Sequence, residues 1–541
     1  MLYTISTVAL LLFTVSNAAS FTAQIDLSNV TNPEVSKYIF GMNMYQNYGL
    51  DDPYTGNYTL GRLGGNSQSR FNFSTNSANS GNDYYYINNP GDFTWQAFYE
   101  QANKNGLAFW TQIPAMGWVS GSTTKSWSFS QQKYGQQKSD ECTNQPDGTT
   151  WCAKDAGNGV WVNGSNVVGN DPNDASIPCT IDGAKAYVKA VRNSYPNTSP
   201  IFSIDNEPTL WHGTHRDVHP KGSTYDEITN DTLVYGAAIK SVCSDCLVAG
   251  YSAWGWCGYF EDGFDHDAGF CTGGGPDYKA KGNIPLNAYY LQTVAAYEKA
   301  NNMKILDIMD VHYYPAASGV SMSCDETSQT SITNRLNAPR SLYDYSYTDP
   351  SWINSVIALI PRYKGLINQL RPNTSFSISE YSFGGDTCIT SAIAHSEALA
   401  VMATYGVFAA TRWSKPAPGS MVTNGFNILT NYDGKGSNIY DSMPFAVNVK
   451  DSDVSKVSTY SFIAKDKSKM FVVSYNKDQN DQNSVNVQLT NNNDNLKING
   501  DLKVYGVDKN GLSYVGTVTP NSASFTLSLP AWSIRLAVAD L

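Results

Sequence analysis

Eight short apolar runs between Tyr38 and Trp413 place the tightest limit on what this chain can fold into. They are Tyr38–Met44, Leu60–Gly65, Ala108–Pro114, Ile201–Glu207, Leu247–Ser252, Ile308–Tyr314, Phe376–Tyr381 and Val407–Trp413. Most lack polar alternation, as strands do when a parallel sheet is covered on both faces. Helical patterns separate most of them. Phe93–Asn105 is apolar at Trp95, Phe98, Tyr99 and Ala102, and Asp182–Tyr195 follows an N-cap read at Asp182. Thr224–Cys243, Asn287–Asn301, Ser351–Gln369 and Ser391–Tyr405 continue the alternation, whereas the first and last units show no convincing helix. Eight βα units predict a (β/α)8 TIM barrel, here over residues 38–440.

Two stretches depart from that rhythm. Ser120–Pro178 is rich in Ser, Gln, Asn and Gly and has no sustained period. Its place after the third strand predicts a long loop, 120–178, forming a wall over the face where the strands end. Trp127, Trp151, Trp161, Cys142 and Cys152 give it something to pack, with Cys179 at its edge. After about Tyr440 the pattern becomes short alternating runs: Ser458–Ala464, Met470–Tyr475, Ser484–Leu489, Leu502–Val507, Leu512–Val518, Ser524–Leu529 and Trp532–Val538. Turns such as Asn499-Gly500 punctuate them, so 441–541 is expected to be a C-terminal antiparallel β-sandwich domain. Phe21–Leu27 alternates similarly, and residues 20–37 are expected to lend that sandwich a strand. A supporting role for the sandwich is favoured over a sugar-binding one.

Met1–Ala19 is apolar from Val8 to Val15 and reaches small residues at Ser16 and Ala18, the pattern of a secretory signal over residues 1–19. The run is too short to span a bilayer, which needs about 20 apolar residues. Nine cysteines suit an oxidising compartment, and the odd number leaves at least one without an intrachain partner. Cys243-Ser-Asp-Cys246 reads as a structural disulfide at a helix end, since no second Cys pair or spaced His completes a zinc site. Sequons at Asn29, Asn57, Asn72, Asn163, Asn197, Asn230 and Asn373 add to the expectation of a secreted, extracellular glycoprotein. A formal net charge of −11 repels phosphate backbones and anionic lipid, which argues against nucleic-acid and membrane partners. A monomer is expected.

Glu207 and Glu380 end the fourth and seventh runs. In a closed barrel, side chains leaving those strand ends converge on one pocket. Two converging carboxyl groups are the minimum equipment for breaking a glycosidic bond. In Asp205-Asn206-Glu207-Pro208 the proline stops the strand at the rim, and the Asn206 amide suits a sugar 2-hydroxyl. Arg62, ending the second strand, is placed to keep Glu380 ionised, because an adjacent cation lowers a carboxyl pKa. His312 and Tyr314 lie two apart and share a strand face. Tyr314 is expected to donate to Glu380, His312 to line the site, and Trp413 to floor it. The 35 tyrosines and 12 tryptophans outnumber the 36 Lys and Arg residues, and their flat faces with polar edges suit sugar rings.

Gly61-Arg62-Leu63-Gly64-Gly65-Asn66, Thr111-Gln112-Ile113-Pro114-Ala115-Met116-Gly117-Trp118-Val119, Ser203 to Trp211, Asp310-Val311-His312-Tyr313-Tyr314-Pro315, Ser379-Glu380-Tyr381 and Ala410-Thr411-Arg412-Trp413 together resemble glycoside hydrolase family 44. The resemblance extends to Thr214–Pro220, Pro339–Asp344 and Asn431–Gly436, with the motifs in family order. It implies a clan A barrel with a β-sandwich and a retaining endo-β-1,4-glucanase activity that often includes xyloglucan. It maps Glu207 to the general acid/base and Glu380 to the nucleophile. Departures lie mainly in Ser120–Pro178. The chemistry asks for no cofactor and no metal, and the partner it implies is a β-glucan polysaccharide. The alternatives are the same two-glutamate barrel acting on xylan, mannan or another β-glucan, and a non-catalytic glycan-binding wall or coat protein.

Overall fold

The computed structural model describes residues 19–44, 58–90, 94–450, 453–480, 482–492 and 496–541. Residues 1–18 of the expected signal segment, Asn57 of its sequon and Phe93 at the head of the first expected helix lie outside them. Among the described residues no helix is long and apolar enough to cross a membrane.

A closed parallel barrel forms from β1 (Gly41–Asn43), β2 (Leu60–Leu63), β3 (Ala108–Ile113), β4 (Ile201–Ile204), β5 (Leu247–Ala253), β6 (Ile308–Tyr313), β7 (Ser375–Tyr381) and β8 (Ala409–Arg412). Each starts and ends within three residues of the run read from sequence. The main helices around them are α1 (Trp95–Lys104), α2 (Ile181–Ser194), α3 (Tyr225–Val242), α4 (Leu286–Asn301), α5 (Leu359–Leu370), α6 (Ile389–Thr404) and, after the last strand, α7 (Met421–Thr430).

Local chemistry corrects three of the expected boundaries. Thr180, not Asp182, caps α2 by accepting the Gly183 N–H, which leaves Asp182 in the first turn. Helix α5 starts at Leu359 because the preceding stretch is turned: Ser351 N–H donates to Asp349 at 2.9 Å, and Asn354 and Ala358 have positive φ. The last unit does have a helix, α7, capped by Ser420.

The barrel interior is layered by the period-2 pleat. Leu60, Trp110, Ile201, Ala249, Ile308 and Ala409 form one buried apolar cluster. Two residues further along, Arg62, Gln112, Ser203, Asp310 and Thr411 are buried polar groups. Asp310 joins neighbouring strands, accepting from Ser252 Oγ at 2.7 Å, Ser377 Oγ at 2.6 Å and Ser379 Oγ at 2.5 Å.

The C-terminal strands form one nine-stranded sheet with its own apolar cluster, including Ile25, Val472, Val487, Phe525 and Ala537. It is antiparallel except at one place, which corrects the wholly antiparallel expectation. Ser20–Val30 pairs antiparallel with Ser442–Lys450, a strand the sequence reading missed, and parallel with Asn483–Thr490. Parallel neighbours need a long crossover, and here the barrel itself is that crossover. The other face of the sheet, with Phe462, Phe471, Val473, Tyr475 and Leu536, belongs to the same apolar cluster as α6 and α7. Inside that junction Glu397 of α6 is fully buried and ion-paired to Lys477 at 2.8 Å, with Ser458 Oγ donating at 2.6 Å.

Four disulfides form: Cys142–Cys152, Cys243–Cys246, Cys257–Cys271 and Cys324–Cys388, with Cys179 left as a thiol. Cys243 is the C-cap of α3, so the 243–246 bridge closes a helix end. Asn29, Asn163, Asn197, Asn230 and Asn373 are exposed, but Asn72 is buried and donates to Ser120 O, which removes that sequon from reach in the folded state.

Removing one partner of a buried ion pair strands the other charge, at about 3–5 kcal/mol. Lys477→Met is therefore expected to lower the unfolding midpoint in urea, and adding Glu397→Gln to recover much of the loss. A double variant no better than Lys477→Met would show that the pair is not the cause.

Candidate active site

Strand β4 ends at Ile204, and the chain then turns sharply under Glu207. Asp205 is buried and accepts the N–H groups of Ala115 at 2.6 Å, Asn206 at 2.8 Å and Met116 at 3.1 Å. Burial pushes its carboxyl up to about 6 against the lowering hydrogen bonds of Ser69 and these backbone groups. Asp205 and Glu207 have φ of 54° and 45°, in the left-handed region that costs an L-residue energy. Pro208 opens the short helix that follows, Glu207 N–H donates to Ser252 O at 3.1 Å, and Trp211 Nε1 donates to Asn206 O at 3.0 Å. These bonds hold the Glu207 side chain at the barrel mouth.

Glu380 arrives by a different device. His312 of β6 pairs with Glu380 of β7, but the β6–β7 register slips between Val311 and His312, and the β7–β8 register between Ile378 and Tyr381. The irregularity lets consecutive residues both face inward: Ser379 bonds Asp310, and Glu380 enters the cleft. Arg62 Nη1 donates to Glu380 Oε1 at 2.8 Å and Tyr314 Oη donates to Oε2 at 3.0 Å. The Arg62 guanidinium is fully buried and also donates to Asn43 Oδ1 at 2.8 Å and Asn206 Oδ1 at 3.1 Å.

His312 joins the two acids. Its Nδ1 lies 2.7 Å from Glu207 Oε1 and 3.6 Å from Glu380 Oε2. Ligand atoms of Glu207, His312 and Glu380 all lie within 4.8 Å of one another, so the two carboxyl groups share one small space. Burial raises Glu207, an effect the hydrogen bond and charge of His312 oppose and the charge of Glu380 reinforces; the net position is above its ordinary 4.5. For His312 burial acts downward, but Glu380 and Glu207 outweigh it and the imidazole sits above its ordinary 6.5. Burial, then the charges of Glu380 and Glu207, drive Tyr314 far above the phenol range, so it is a donor at any working pH.

The cleft holds about 480 Å³ and is lined by Gly65, Asn66, Ser67, Ser80, Asp83, Asn206, Glu207, Glu380, Trp413 and Ser414. Trp413 lies against Gly65, where an added Cβ would sit 2.6 Å from the indole ring; glycine is what lets the indole lie there. The structure thus brings Arg62, Asn206, Glu207, His312, Tyr314, Glu380 and Trp413 to one place. Residues 120–178 do not line this cleft, which corrects the expected wall. Gly65, Asn66, Ser67, Ser80 and Asp83 line that side, and the long loop packs behind them through Glu141, which accepts from Tyr84. Asn43, Asn66, Asp83 and Asp310 were not singled out from sequence, because an isolated Asn or Asp carries no periodic signal.

Two groups of described residues have atoms close enough to hold an ion. In Cys243, Asp245 and Cys246 both sulfurs are already bonded to each other. In Glu207, His312 and Glu380 a metal would have to compete with the Arg62 cation bound 2.8 Å from Glu380.

The barrel brings two glutamates to one cleft, an arrangement suited to cleaving a glycosidic bond. The model of glycoside hydrolase family 44 matches residues 77–317. A β-mannanase/endoglucanase A of Caldicellulosiruptor saccharolyticus is 26% identical over 94% of this chain, which spans 38% of that relative's length. A bifunctional glucanase–xylanase from a metagenome library superposes with a TM-score of 0.88 at 27% identity, covering 97% of this chain and 100% of that one. A Paenibacillus polymyxa xyloglucanase of family 44, solved with xyloglucan, gives 0.76 at 22% identity, with 96% and 100% covered. These similarities point to glycoside hydrolase family 44.

Replacing His312 by Asn removes the group that pulls Glu207 down while burial remains. The Glu207 carboxyl, followed by 13C NMR on labelled protein, is expected to titrate above 4.5 in the parent and higher still in His312→Asn. A midpoint that falls in the variant would contradict the assigned balance.

Proposed function

We propose that this protein is a retaining, endo-acting hydrolase of β-1,4-glucan, with cellulose-type chains and xyloglucan as substrates. One observation carries the reading: carboxyl oxygens of Glu207 and Glu380 approach within 4.8 Å across a cleft bordered by Trp413. Direct attack on a sugar carbon needs carboxyl groups about 5–5.5 Å apart, whereas an intervening water needs about 6.5–9.5 Å. Glu380, held by Arg62 and Tyr314, acts as nucleophile and forms the glycosyl ester. Glu207, raised by burial, protonates the leaving oxygen and then deprotonates the water that hydrolyses the ester. His312 tunes Glu207 and orients its carboxyl group. Trp413 floors the subsite of the cleaved sugar. The names of similar proteins, glucanase, xyloglucanase, xylanase and mannanase, support a β-linked polysaccharide with an open cleft rather than a small glycoside. Four disulfides support an extracellular site of action.

Reducing-end release from xyloglucan, soluble unsubstituted glucan, xylan and mannan tests the substrate class, with β-glucans expected to be the best. Glu380→Gln is expected to lose about three or more orders of magnitude in kcat, since it removes a group that reacts in the transition state. Proton NMR of the first products should show the β-anomer. An α-anomer as the initial product would sink the double-displacement mechanism, and undiminished activity in Glu380→Gln would sink the role given to that residue.

A further inference from the structure

A third carboxyl group opens on the cleft. Asp83 sits on the short helical turn Gly81–Tyr84, is exposed, and lines the same space as Glu207, Glu380 and Trp413. It ends a chain of side chains that begins at the nucleophile. Arg62 donates to Glu380 and to Asn206, Asn206 Nδ2 donates to Asn66 Oδ1 at 3.1 Å, and Asn66 Nδ2 donates to Asp83 Oδ2 at 2.8 Å. That last bond fixes one oxygen, and among the described residues none donates to Oδ1.

The turn carrying Asp83 is held from behind. Gly81 has φ +59° and lies so close to Thr214 O and His215 that no Cβ would fit there. Gly81 N–H donates to Asn79 Oδ1 at 2.8 Å. Tyr84 Oη donates to Glu141 Oε1 at 2.9 Å, and Glu141, buried, is paired to Lys125 at 2.6 Å and followed by the Cys142–Cys152 disulfide. The 120–178 loop therefore acts as a buttress for this turn. A short polar turn braced on three sides is an expensive way to hold a solvent-facing side chain, and it fits a side chain that must meet a ligand in one position.

The charge is informative. Partial desolvation against the cleft wall raises the Asp83 carboxyl, Asn66 lowers it, and the charge of Glu380 raises it again. A carboxylate facing the nucleophile across a cleft is disfavoured unless donors arrive to satisfy it. Sugar hydroxyls are such donors, and hydrogen bonds to a charged acceptor are the stronger kind. A negative group there also favours the positive charge that develops on the ring in an oxocarbenium-like transition state.

We propose that Asp83 is a substrate-binding residue whose carboxylate accepts hydroxyl groups of the sugar ring seated on Trp413. This rests on the glycoside hydrolase reading above. It also gives the 120–178 loop a task, holding Asp83 in place.

The test uses the full chain, neutral cellopentaose and two variants. Asp83→Asn keeps the size of the side chain and Asp83→Ala removes it. Asp83→Ala is expected to lose roughly 10- to 100-fold in kcat/KM, Asp83→Asn less, with circular dichroism and melting temperature unchanged. In a Glu380→Gln background, calorimetry should show cellopentaose affinity falling roughly tenfold when Asp83→Ala is added. Values within twofold of the parent in both variants would overturn the inference, as would no glycan binding at all to Glu380→Gln. If Asp83→Ala melts early, Asp83→Asn decides by the same criterion. A parent that binds cellopentaose through Asp83 but hydrolyses no glycan would refute the proposed activity and leave the inference standing.

Discussion

The buried guanidinium of Arg62 is the contact on which the site depends. It is fully enclosed at the top of the barrel, yet three of its neighbours, Glu380, Asn43 and Asn206, come from three other strands or their ends. A buried cation is costly unless it is paired and its hydrogens are used, so its position fixes the positions of its acceptors. Arginine suits this because its planar fork holds several acceptors in set directions. The guanidinium ties the strand of Glu380 to the turn that carries Glu207, and in doing so sets the spacing between the two carboxyl groups.

The layers below explain why such a polar centre is tolerated. The barrel floor is apolar, from Leu60 and Trp110 to Ile308 and Ala409. Above it lie Asp310 and its serine donors, where each carboxylate oxygen has a partner. The sheet domain serves the barrel by covering α6 and α7 with an apolar face, and the Glu397–Lys477 pair locks that face in register.

Much of the barrel is legible in sequence because covered parallel strands are written as unbroken apolar runs, and all eight runs became strands. Glu207 and Glu380 were visible as acids at the ends of such runs. What escaped has a local cause. The Ser442–Lys450 strand follows a turn and carries Pro444, which weakens its period. The start of α5 was masked by Ser351 and Asn354, residues that a helix and a turn can both use. The 120–178 loop could be seen to pack, but not against what: a chain without period does not declare its neighbours.

By itself the sequence determined the alternation of strands and helices, the two acids, and the cation and aromatic residues that accompany them, since each is a matter of residue type and spacing along one strand. Only the tertiary structure decided distance and direction. The irregular register that turns Ser379 and Glu380 inward together, the left-handed backbone that aims Glu207, and the chain of amides running from Arg62 to Asp83 depend on atoms far apart in sequence. Pairing register and the enclosure of charge are set when strands meet, and no single segment carries that information.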